Sequence, residues 1–108
     1  MNYSDLNDFE INKLVAESRG MVVDGGYLSI SAASAGFTGN GDLRPFDPCN
    51  NPSDAWPIIV ENRISVLPWY KPLWHSYSPD TKIRHPDKNP LRAAMIVYLM
   101  MKDAENEV

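Results

Sequence analysis

A chain of 108 residues has the size of one domain, and 44% apolar residues are enough to fill a core. Charged residues at 22%, together with three tryptophans, exclude disorder over most of the length. A net charge of −4 argues against general nucleic-acid binding, because phosphate contacts come from clustered cations.

The N-terminus MNYSDLNDFE is polar and acidic, with no basic stretch followed by an apolar one, so no secretory leader is expected. Asn7 begins a helix signature: Glu10 follows three residues later as in a capping box, and Leu6 and Ile11 are placed as a hydrophobic staple. The helix is expected to run to about Arg19 and stop at Gly20, with Ile11, Leu14, Val15 and Ser18 on one side and Asn12, Lys13 and Glu17 facing water. Met21–Val23 and Tyr27–Ile30 flank Asp24-Gly25-Gly26, which reads as a hairpin with a short loop. Residues 31–43 are small, polar and glycine-bearing, and are expected to form a mobile surface loop. Their GFTGNG is no phosphate cradle, since it lacks a Gly-Lys-Ser/Thr ending and a following helix.

Phe46 to Ile59 is a stiff corner, because Pro48, Pro52 and Pro57 fix φ and withhold three backbone donors. Phe46, Trp56, Ile58 and Ile59 give it apolar groups to bury, and Asp47 and Asp54 are placed to cap turns and helix ends. Asn51-Pro52 starts a helix. An interior proline costs about 3 kcal/mol, so Pro57 predicts a tight turn over 52–55 and a restart near residue 57. Three short strands are expected next, at Arg63–Leu67, Leu73–Tyr77 and Lys82–His85, with Pro68, Pro72, Pro79 and Pro86 at strand ends or edges. Asn89-Pro90 repeats the cap-plus-proline start and opens a helix to about Ala104, followed by a frayed tail at 105–108.

This last helix contains AAMIVYLMM, an apolar run from Ala93 to Met101 that is far short of the roughly 20 residues a membrane span needs. A helix apolar on nearly every side has no face for water. The expectation is therefore a homo-oligomer, with Met95, Tyr98, Leu99 and Met101 at the interface. The predicted fold is one α+β domain over residues 1–108: a small antiparallel sheet packed against a long apolar C-terminal helix, with an N-terminal helix and a short middle helix.

Candidate chemistry is sparse. His75, His85, Cys49 and Asp47 are the plausible metal ligands, but they lack CxxC or HxxxH spacing, so no metal or other cofactor is expected. No acid, base and nucleophile are assembled, which points away from an enzyme. A lone cysteine excludes an internal disulfide and, with five methionines, fits a reducing cytoplasm. Residues 63–92 differ from the rest: six cations stand against only Asp80 and Asp87, whereas residues 1–62 carry three cations against nine acids. In the same block lie Trp69, Tyr70, Trp74, His75 and Tyr77. Aromatic faces stack on bases and cations anchor phosphates, while Trp, Tyr and Arg also anchor protein interfaces. The bland alternative is that Trp56 and Trp74 fill the core while Lys and Arg coat the sheet. Arg63, Trp69, Trp74, His75, Arg84 and Arg92 are the candidate ligand-binding residues.

The blocks LNDFEINKLVAE, FDPCNNPSDAWPIIVENRISV and NPLRAAMIVYLMMKDA together resemble the NinX-like family of small proteins from phages and prophages of enteric bacteria. The resemblance spans most of the chain in order. Its family has no assigned function, so it implies no site residues; it implies an accessory protein in the cytoplasm of an infected bacterium. The expected role is non-enzymatic, stoichiometric binding in counter-defence, of a host protein or a small anionic nucleotide-like signal, away from membranes. The alternative is a nucleic-acid-associated helper of phage replication or recombination.

Overall fold

The capping signals at both ends of the chain are used as written. In the computed structural model, which describes residues 2–24, 27–29 and 46–106, helix α1 spans Asp8–Ser18. The Asn7 side chain accepts from Glu10 N at 2.8 Å, and the Glu10 carboxylate accepts from Asn7 N at 3.2 Å, the reciprocal box that the spacing predicts. Gly20 takes φ +74° and closes the C-terminal end: its N–H reaches Glu17 O, and Met21 N reaches Ala16 O. Strands β1 (Val22–Asp24) and β2 (Tyr27–Ser29) then pair antiparallel with Asp24 opposite Tyr27, as the glycine punctuation implies. The expected loop at 31–43, including GFTGNG, and the last two residues of the expected tail lie outside the described residues.

Three expectations in and around the corner are corrected. Asn12 does not face water; it is buried, its amide donating to Asp47 Oδ1 at 2.7 Å and its carbonyl oxygen accepting from Cys49 N at 3.1 Å. A polar side chain on the inner side of α1 is tolerated because it satisfies the backbone of a turn that has no strand or helix to pair with. Helix α2 (Pro52–Glu61) runs unbroken through Pro57. Proline there removes one helical bond, to the carbonyl of Ser53, and both residues lie on the exposed side of α2, where water can substitute. On that side, too, Trp56 stands 63% exposed and is not part of the corner's buried cluster.

The end of α2 repeats the end of α1 with a different residue. Arg63 N donates to Val60 O and Ile64 N to Ile59 O, the same pair of closing bonds, but the left-handed position is filled by Arg63 at φ +54°. The chain then forms β3 (Ser65–Pro68), β4 (Trp74–Tyr77) and β5 (Arg84–Asp87), a meander in the order β3-β4-β5. The prolines fall at a strand end (Pro68), in turns (Pro72, Pro79) and on an edge strand (Pro86), where no ladder donor is needed. Helix α3 (Pro90–Asn106) starts on Asn89, whose side chain accepts from Leu91 N and Arg92 N.

Helix α3 packs on β3–β5 with one side and on α1 and α2 with the other, which gives the α+β architecture that the pattern predicts. Met95, Ile96, Val97, Tyr98 and Leu99 join Ile11, Val15, Ala55, Ile58, Ile59 and Ile64 in one core. The premise of the expected homo-oligomer, a run too apolar for one chain to enclose, does not hold. Ala93 to Leu99 are all at most 4% exposed within a single protomer, and Met101 is 8% exposed. Met95, Tyr98, Leu99 and Met101 are core residues rather than an interface, because helices and sheet together supply a neighbour for every side of α3.

Candidate functional site

Strand alternation decides which candidate residues meet. Side chains of successive residues leave opposite faces of a sheet, and Ser76 is fully buried beneath α3. The register pairs Ser76 with Val66 and His85, so those three residues share the inner face. His75 and Tyr77 therefore project outward, beside Leu67 and Pro86 and beside Ser65 and Arg84 respectively.

On that outer face the aromatic rings form a row along β4. Tyr70 and Trp69, in the β3–β4 turn, have ring centroids 5.5 Å apart at an interplanar angle of 39°. Trp69 lies 4.9 Å from His75 at 45°, and His75 stacks near Tyr77 at 6.3 Å and 14°. The Arg84 guanidinium closes the row, 5.2 Å from the centre of the Tyr77 ring. Trp69 and Tyr70 are exposed by 48% and 73%, and Leu67 by 51%. None of the three tryptophans fills the core, Trp74 being exposed at the rim. Large aromatic groups left in water need a reason that core packing does not give.

The structure brings together three of the six candidate ligand residues, Trp69, His75 and Arg84. Trp74 projects from the opposite face of β4. Arg63 is ion-paired with Asp80 at 3.2 Å. Arg92 is a structural clamp: its Nη1 bonds Asp8 at 2.8 Å, its Nε Asp87 at 3.2 Å, and its Nη2 the carbonyls of Ser4 and Leu6. Burial alone lowers the pKa of such a group, but the bond to Asp8 and the charges of Asp87 and Asp8 outweigh it and hold Arg92 protonated. Leu67 and Pro86 were not singled out by the sequence. The period of two in residues 74–77 is the signal that separates Trp74 from His75 and Tyr77 and would have found their neighbours.

The remaining chemical candidates are dispersed. His75 and His85 leave opposite faces, and among the described residues no cluster of three His, Cys, Asp or Glu groups is placed to hold a metal. Burial, reinforced by Asp8, pushes the Cys49 thiol up to about 12, so at neutral pH it carries no nucleophilic thiolate. Cys49 is locked by its backbone instead, its carbonyl accepting from the Asn89 amide at 2.6 Å.

A family model described as Bacteriophage P22, NinX matches residues 2–102. The chain belongs to the NinX family. That match covers nearly the whole sequence, including the corner, the three-strand sheet and most of α3. No curated protein matches the chain. Among the described residues of this NinX-family chain, no helix is long and apolar enough to cross a membrane.

Proposed function

We propose that this NinX-family chain is a phage accessory protein that acts by stoichiometric binding rather than by turnover, and that its contact surface is the outer face of β3–β5. The observation carrying this reading is the row Tyr70–Trp69–His75–Tyr77 ending in Arg84, with Tyr70 and Trp69 exposed and His75 and Tyr77 half-buried. Trp, Tyr and Arg are the side chains that supply most binding energy at recognition surfaces. Small ligands are held in concave sites that enclose most of their surface; a row along the open face of a sheet suits a larger target lying across it. Counter-defence in the infected cell, by masking a host component, is the role such binding serves.

The test is affinity capture from infected cells with tagged wild-type protein and with Trp69→Ala. Wild type is expected to retain a component in near-equal molar amount that Trp69→Ala loses. Identical retention by the two proteins, or conversion of a cellular metabolite by the purified chain, overturns the proposal.

A further inference from the structure

The sheet face is small, and its charge differs from that of the chain as a whole. Strands of four residues, rising about 3.3 Å per residue and lying about 4.8 Å apart, make a face on the order of 200 Å². A stable protein–protein contact takes about 800 Å² from each partner. A protein docked here would have to spread far beyond the rings, whereas a few nucleotides of a single strand are covered by them.

The charges around the row point the same way. Asp80 is held by Arg63, and Asp87 leaves the opposite face to bond Arg92. Lys71 follows Tyr70 at one end of the row, while at the other Arg84 stands beside Tyr77 and Lys82 lies in the adjoining β4–β5 turn; among the described residues none of these three cations has a carboxylate partner. In sequence, residues 1–62 and 93–108 carry −6 and −2, whereas residues 63–92 carry +4. Rings that follow one another at 4.9–6.3 Å, with cations at both ends, form a stacking platform with phosphate anchors, and every base has a face to stack.

We propose that the outer face of β3–β5 binds a short segment of single-stranded nucleic acid, with bases stacked on Tyr70, Trp69, His75 and Tyr77 and phosphates held by Lys71, Lys82 and Arg84. This rests on the binding reading above and names its ligand. Duplexes are excluded, because their bases are stacked on one another and do not present their faces to the rings. Sequence preference is slight, since stacking reads no base edge.

Fluorescent thymidine and uridine homo-oligomers of about ten nucleotides, with a duplex of the same length, are titrated with the full chain and followed by anisotropy. Binding of a single strand over the duplex is expected, and the two oligomers separate DNA from RNA as the source. With three phosphate contacts, affinity falls on the order of 20-fold between 50 and 200 mM salt. Trp69→Ala weakens binding at least about fivefold, whereas Trp56→Ala, the same change on the outer side of α2, leaves it unaltered. Circular dichroism confirms that both variants fold. Absence of binding by either oligomer up to about 10⁻⁴ M protein, or equal binding by wild type and Trp69→Ala, overturns the inference. A host protein captured from nuclease-treated lysate through Trp69, with no oligomer bound, also overturns it but leaves the binding reading intact. If neither oligomer nor protein is bound, both fall.

Discussion

At the scale of single residues, Arg92 and His85 show how the inner side of the sheet is held. Arg92 ties the N-terminal segment, β5 and α3 together with four bonds from one side chain that is only 11% exposed. Arg92→Met leaves Asp87 half-buried without its partner and is expected to cost about 3 kcal/mol. Arg92→Lys recovers only part of this, because an ammonium cannot span the same fork; urea denaturation of the two variants checks the order. His85 is tested by pH. Burial pushes its imidazole below the ordinary 6.5, opposed by the Asp87 carboxylate and assisted by Arg92. The folded chain therefore binds fewer protons here than the unfolded chain, so this contribution to stability is full above 6.5 and is lost as pH falls through the lower folded value. In His85→Gln the stability profile should be flatter over that interval, measured by thermal melts; an unchanged slope refutes the assignment. Arg92 read as a ligand residue in the sequence because its partners Ser4, Leu6, Asp8 and Asp87 are spread along the chain. A basic residue in a basic block carries no local sign that it will be buried among them.

At the scale of elements, what the sequence announces is what is settled within a few residues. The caps at Asn7, Asn51 and Asn89 and the stop at Gly20 are local hydrogen-bond problems with local answers. Arg63 is the exception. The same C-terminal motif closes α1 and α2, yet only α1 has the glycine that the left-handed backbone favours. A non-glycine residue in that region costs roughly 1–2 kcal/mol. The ion pair that Arg63 forms with Asp80 lies in solvent and offsets little of this. Arg63→Gly is accordingly expected to stabilise the chain by about 1 kcal/mol, and Gly20→Ala to destabilise it by a similar amount. Shifts of Tm in opposite directions confirm the pair; a loss in both means that the Arg63 side chain holds the turn after α2. The break expected at Pro57 failed for the complementary reason. Propensity counts the missing bond, but the sequence does not show that residue 57 lies on the watered side of α2, opposite the side packed on α3.

At the scale of the whole molecule, the difference between the two faces of the β3–β5 sheet is what links the fold to the proposed binding. The run from Ala93 to Met101 looked too apolar for one short chain because enclosure is a property of the tertiary arrangement. Neither the α1–α2 side nor the sheet side alone covers α3, but together they do. With α3 covering the inner face, nothing in the described fold covers the outer one, and on the binding reading proposed above the rings there serve contact rather than folding. This makes a quantitative contrast. Ile96→Ala removes a side chain that is 1% exposed and is expected to cost about 2–5 kcal/mol, as buried aliphatic truncations do. Trp69→Ala removes a larger side chain that touches Tyr70 and His75 in solvent, and should change stability by no more than about 1 kcal/mol. Urea unfolding of the two variants decides between a binding row and an outlying piece of core. If Trp69→Ala is as costly as Ile96→Ala, the rings belong to the stability of the sheet and the outer face loses its claim to recognition.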